Sequence, residues 1–64
     1  MSPQNIGKKL KEARLKLNFT QANVAKKAGL TVTYYAMIER DEVNPSYEKL
    51  KSIVDVLKMK ITIS

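Results

Sequence analysis

Apolar residues in the first quarter of the chain recur at intervals of three and four: Ile6, Leu10, Ala13 and Leu17. That spacing puts them on one face of a helix and predicts a first helix over about residues 3–17. Ser2 and Pro3 supply its start, a capping side chain followed by the imino acid that suits a first helical turn. Lys8, Lys9, Lys11 and Lys16 fall mostly off the apolar face. A basic amphipathic helix can also lie on an anionic membrane, but this stripe has no Trp or Phe, so it reads as facing a protein core. Asn18 tolerates the left-handed conformation that ends a helix, and Phe19 can fold back onto the core.

Thr20 is positioned to cap a second helix over residues 21–28, and Gly29 stops it, since glycine enters the left-handed region without a Cβ penalty. Leu30 can plug the bend before Thr31 caps a third helix over residues 32–40, and Ala25 is small where a larger residue would hold the two helices apart. So short a connection makes the helices cross steeply. At about 100° per residue, Tyr35 and Ile38 share the core side of the third helix, whereas Thr33, Ala36, Met37 and Arg40 lie around the other side. Most of this outer face is small or apolar where water should reach it.

Pro45 and Ser46 open a fourth helix over residues 46–57, in which Leu50, Ile53, Val54 and Leu57 repeat at helical spacing. Four helices can share one core, so the fold class is all-α. Beyond Leu57 the period changes to two, with Met59, Ile61 and Ile63 alternating with Lys58, Lys60, Thr62 and Ser64. That pattern predicts a short strand over residues 59–63. A lone strand leaves its backbone groups unpaired, and the same segment of a second copy is the simplest supplier of a neighbour. A flexible tail is the alternative for so short a terminal segment.

Composition narrows the chemistry. A length of 64 residues suits one small domain with a thin core. Twelve Lys and Arg against six Asp and Glu leave a formal charge of +6, which favours a polyanionic partner. Residues 1–40 hold eight of the basic and two of the acidic side chains, so an anion should dock there. The chain has no Cys and no His, which removes disulfides, thiolate zinc and the commonest base and metal ligand at neutral pH. No phosphate-binding Gly-rich loop followed by Lys and Ser or Thr is present, so neither an enzyme nor a cofactor or metal is expected. The absence of an apolar run of membrane length and of a signal-like start points to the cytoplasm.

Gln21, Ala25, Gly29, Tyr35, Ile38 and Glu39, followed by "NPS" at 44–46, form a pattern that resembles the phage repressor and Cro type of helix-turn-helix family over residues 4–57. Several constraints hold at once, whereas a lone glycine between two helices would mean little. The resemblance implies a bundle of four or five helices that binds double-stranded DNA as a homodimeric repressor, with the third helix in the major groove and the second across the backbone. It also implies base-facing roles for Val32, Thr33, Ala36 and Met37 and phosphate contacts from Thr20, Gln21, Tyr34 and Arg40. Arg14 and Glu39 match positions that form an ion pair between the first and third helices. Met59, Ile61 and Ile63 resemble the dimerising strand of antitoxin members of the family, which suggests a toxin as a further partner.

The sequence departs from that pattern in ways that bear on function. Asp41 stands where glycine is usual, and with Glu42 it would put two negative charges near an approaching phosphate. Tyr35 replaces a small aliphatic residue, and Asn23 stands where a glutamate would complete a capping box with Thr20. None of Val32, Thr33, Ala36 and Met37 can read guanine or adenine bidentately, so apolar contact with thymine methyls and reading of DNA shape are expected instead. A second reading keeps the fold but gives the apolar outer face to a protein partner, since methionine adapts to protein grooves as well as to methyl groups.

Overall fold

The computed structural model describes residues 6–58. They form four helices: α1 (Ile6–Lys16), α2 (Gln21–Ala28), α3 (Val32–Glu39) and α4 (Tyr47–Val56). The expected start of α1 at residues 3–5, its cap at Ser2 and Pro3, and the alternating segment with Met59, Ile61 and Ile63 lie outside the described residues. The other boundaries fall within one residue of those expected from the sequence. Arg40 and Leu57 are the C-caps of α3 and α4 and no longer part of the helices themselves.

Side-chain oxygens start three of these helices. The Thr20 hydroxyl accepts from the Asn23 N–H, Thr31 from Tyr34 and Ser46 from Lys49, at 3.0, 3.1 and 3.2 Å. One expectation needs correcting: Asn23 does complete a capping box, because its Oδ1 accepts from the Thr20 N–H at 2.9 Å. A short Asn side chain reaches back over one helical turn as a Glu would, and it adds no charge. At the other end of α2, Gly29 has φ 76° and its N–H, with that of Leu30, bonds back to Lys26 and Ala25. The left-handed glycine turns the chain into α3 within two residues.

The core is made by Leu10 of α1, Val24 and Ala25 of α2, Tyr35 and Ile38 of α3, and Ile53, Val54 and Leu57 around α4. Leu17, Phe19, Leu30, Val43 and Leu50 pack on its edge. Helix α2 lies against both α3 and α4, and α1 lies against α3. Ala25, buried completely at the centre of α2, lets the helix-turn-helix close.

The tightest approach is between the start of α1 and the end of α3. A Cβ on Gly7 would sit 2.6 Å from the Ile38 carbonyl oxygen and closer still to that of Glu39, so only glycine fits. The Gly7 N–H, in the first turn of α1 where no intrahelical acceptor exists, donates to Asp41 Oδ1 at 3.1 Å. Asp41 has φ 59°, in the left-handed region that a short polar side chain tolerates. An aspartate where the helix-turn-helix pattern this chain resembles has glycine therefore keeps the turn and adds an acceptor for the opposing helix.

Candidate nucleic-acid interface

Glu39, at the last turn of α3, joins three elements. Arg14 of α1 reaches it with two nitrogens, Nε to Oε2 at 2.7 Å and Nη2 to Oε1 at 3.2 Å. Gln21, the first residue of α2, donates from Nε2 to Oε1 at 3.0 Å. The remaining Arg14 fork nitrogen, Nη1, donates to the Phe19 carbonyl at 2.9 Å, tying in the α1–α2 connection. Only 10% of the Arg14 side chain and 3% of the Glu39 side chain remain exposed. Burial pushes the Glu39 carboxyl up, but hydrogen bonds from Arg14 and Gln21 and the Arg14 charge outweigh it and hold the carboxyl below its ordinary value. Pairing with Glu39 raises the Arg14 guanidinium in turn, so both groups stay charged.

Tyr35 of the same helix is fully buried, and among the described residues its hydroxyl has no hydrogen-bond partner. Burial raises that phenol, and the Glu39 charge pushes the same way. The network thus fixes the axis and rotation of α3 against α1 and α2, which decides what its outer face presents.

On that face Val32 is 45% exposed, Thr33 is exposed, and Ala36 and Met37 are half-buried. Val32 looks across an open groove toward Thr20, Gln21 and Ala22 at the start of α2 and toward Leu15 and Phe19. Arg40 follows at the end of α3, its guanidinium held in a fork by Glu42 at 2.9 and 3.1 Å, with both side chains about half exposed. The two carboxylates expected to repel a phosphate each have a partner: Glu42 is paired with Arg40, and Asp41 accepts from Gly7. Thr20 is exposed with its oxygen engaged as a cap, and Tyr34 is half-buried at the core edge with Lys49 Nζ 5.9 Å from its ring centroid. The structure therefore brings Thr20, Gln21 and Val32 to one groove, puts Arg40 at the far end of α3, and sets Tyr34 on the side toward α4.

Leu15 falls outside the patterns read from the sequence, yet it is 53% exposed in that groove. The available signal is an apolar residue off the Ile6, Leu10, Ala13, Leu17 stripe. Gly7 carries a signal of its own, since a glycine inside a helix needs a packing reason. Among the described residues no cluster of three or more His, Cys, Asp or Glu could hold a metal, and no helix is long and apolar enough to cross a membrane.

Comparison with known proteins agrees with this geometry. A family described as Helix-turn-helix matches residues 10–63. An immunity repressor protein of Bacillus phage phi105 is 35% identical over 57 residues, which cover 89% of this chain and 40% of that relative. This chain thus corresponds to less than half the length of the phage protein. No solved structure gives a significant match. With the helix pair closed at Gly29 and braced through Glu39, and with the match spanning most of its length, the chain belongs to the phage repressor type of helix-turn-helix family.

Proposed function

We propose that this chain is a sequence-specific double-stranded DNA-binding domain of a transcriptional repressor, working as a homodimer. The observation that carries the reading is the outer face of α3, solvent-facing and free of charge from Val32 to Met37, held rigidly by Glu39 beside the start of α2. Family membership and a relative named as an immunity repressor support the same reading. Helix α3 enters the major groove, where Val32, Ala36 and Met37 press on thymine methyls and Thr33 supplies a hydrogen bond. The N–H groups and positive dipole end at Gln21, with Thr20 and Arg40, meet phosphates, and Tyr34 does so only at the edge. Met59, Ile61 and Ile63 pair with their counterparts in a second copy to set the half-site spacing.

The chemistry makes a specific demand. With direct hydrogen-bond readout thin, affinity comes mostly from phosphates and falls steeply with salt. Selection from random-sequence duplexes at near-physiological salt tests the proposal. The expected result is a palindrome with T-rich half-sites whose centres lie about one helical turn apart. Salt-sensitive binding without enrichment rejects sequence-specific recognition by α3, and absence of binding at low salt rejects the DNA reading in favour of a protein partner on that face.

A further inference from the structure

Helix α1 lies beside this interface and carries four exposed lysines, Lys8, Lys9, Lys11 and Lys16. Two fixed points orient it. Gly7 and Arg14 face α3, through the Ile38 and Glu39 carbonyls and the Glu39 carboxylate. Ile6 lies about a quarter turn away, lining an apolar pocket with Asn44, Pro45 and Leu50. Taking Gly7 as zero on a helix of about 100° per residue, Lys11 lies at about 40°, Leu15 at about 80° and Lys8 at about 100°. Glu12 follows at about 140°, Lys16 at about 180°, Lys9 at about 200° and Ile6 at about 260°. Lys11 and Leu15 therefore adjoin the α3-facing edge, Lys8 continues the same flank about a quarter turn from it, and Lys9 and Lys16 lie roughly opposite that edge.

Leu15 ties this flank to the site independently of the angular argument, because it lines the groove that also contains Gln21 and Val32. A duplex seated on Val32 and the start of α2 would run past this flank of α1. We infer that Lys8 and Lys11 extend the interface as a second strip of phosphate contacts on α1, engaging the DNA backbone beside the half-site. The occupant follows from charge: two ammonium groups that form no ion pair among the described residues match a row of phosphates. Their contacts add affinity without sequence preference and fix the angle at which α3 enters the groove.

This inference rests on the DNA-binding reading, and its test separates the two. The probe is the duplex most enriched by the selection, and the readout is the slope of log affinity against log salt for the full chain. Removing two phosphate contacts with Lys8→Gln/Lys11→Gln should lower the slope by about 1.8. Lys9→Gln/Lys16→Gln removes the same net charge and should leave the slope nearly unchanged. Lys8→Arg/Lys11→Arg should keep the parent slope, and equal helicity by circular dichroism should hold for all three. Hydroxyl-radical footprinting should show the Lys8→Gln/Lys11→Gln chain losing protection at the edge of the half-site only. Equal slope losses from the two glutamine pairs, or an unchanged slope in the first, would overturn the α1 strip while leaving α3 recognition intact. A parent chain that binds no duplex overturns both.

Discussion

Two arginine–glutamate pairs flank the end of α3, and they differ in surroundings more than in geometry. Arg14 and Glu39 meet at 2.7 Å and Arg40 and Glu42 at 2.9 Å, each as a two-nitrogen fork. The first pair is nearly sealed from water, joins residues 25 apart in sequence and is crossed by Gln21 and Phe19. The second joins neighbours two apart, with 57% and 49% of its side chains exposed. Coulomb attraction at equal distance is screened far more in water than in the interior, while desolvation is costly mainly inside. A buried pair therefore holds helices in register and becomes a liability when half of it is removed. An exposed pair stays exchangeable, free to give up its arginine to a competing anion.

The largest effect expected is at the buried pair. Glu39→Ala leaves the Arg14 guanidinium charged and unpaired, and should cost about 3–5 kcal/mol. A domain of this size has a total stability of roughly 3–10 kcal/mol, so the loss is a large share of it and thermal melts should show the melting temperature lowered by about 10 °C or more. A wild-type-like melting curve would mean that water reaches the pair. The same carboxylate predicts an acid limit. Its folded-state pKa is depressed, so its contribution is complete above the ordinary carboxylate value and is lost as pH falls through the lower folded value. Urea midpoints measured from pH 6 downward should fall below about pH 4.5, and should fall less steeply in Glu39→Gln.

Next in size is Gly7→Ala, which drives a methyl into the Ile38 and Glu39 carbonyls, backbone atoms that cannot rotate away. A loss of about 1–3 kcal/mol is expected by chemical denaturation, even though alanine is the better helix former. A gain in stability would show that α1 and α3 do not approach this closely. Tyr35→Phe sharpens the contrast from the other direction. Its hydroxyl is buried without a partner, so removing it should stabilise the fold by up to about 1 kcal/mol. A loss instead would mean that the hydroxyl donates to Glu39 and belongs to the buried network.

The contrast between the two pairs also explains what could be read from the sequence. Periodicity and caps give α2 and the start of α3 almost to the residue, because Thr20, Gly29 and Thr31 act on their immediate neighbours. The positions of Arg14 and Glu39 were legible through the family pattern, since no local rule links residues so far apart. Gly7 and Asp41 were not linked, because their contact spans 34 positions and depends on the distance between two helix axes. The pairing of Arg40 with Glu42 was hidden for a different reason: in the sequence each is weighed against a phosphate, and neither against the other. The outer face of α3 was legible as composition, but its tilt relative to α1 and α2 is set by Glu39, a feature of tertiary packing.

The smallest structural effect is expected at the exposed pair, and it carries the most direct functional readout. Glu42→Gln breaks a fork between two water-exposed side chains, so the melting temperature should not change measurably. Arg40, however, loses an anionic partner that competes with phosphate for the same two nitrogens. Affinity for the selected duplex at low salt should therefore rise by about two-fold, a difference of the size typical for an exposed pair. Asp55→Asn is the control, because it removes one negative charge from the exposed side of α4 without touching Arg40. If both variants gain equally, the effect is the net field of the protein and Glu42 has no particular hold on Arg40. If only Glu42→Gln gains, the two pairs divide the work at the end of α3: one keeps the helix in place, and the other sets how readily its arginine is released to DNA.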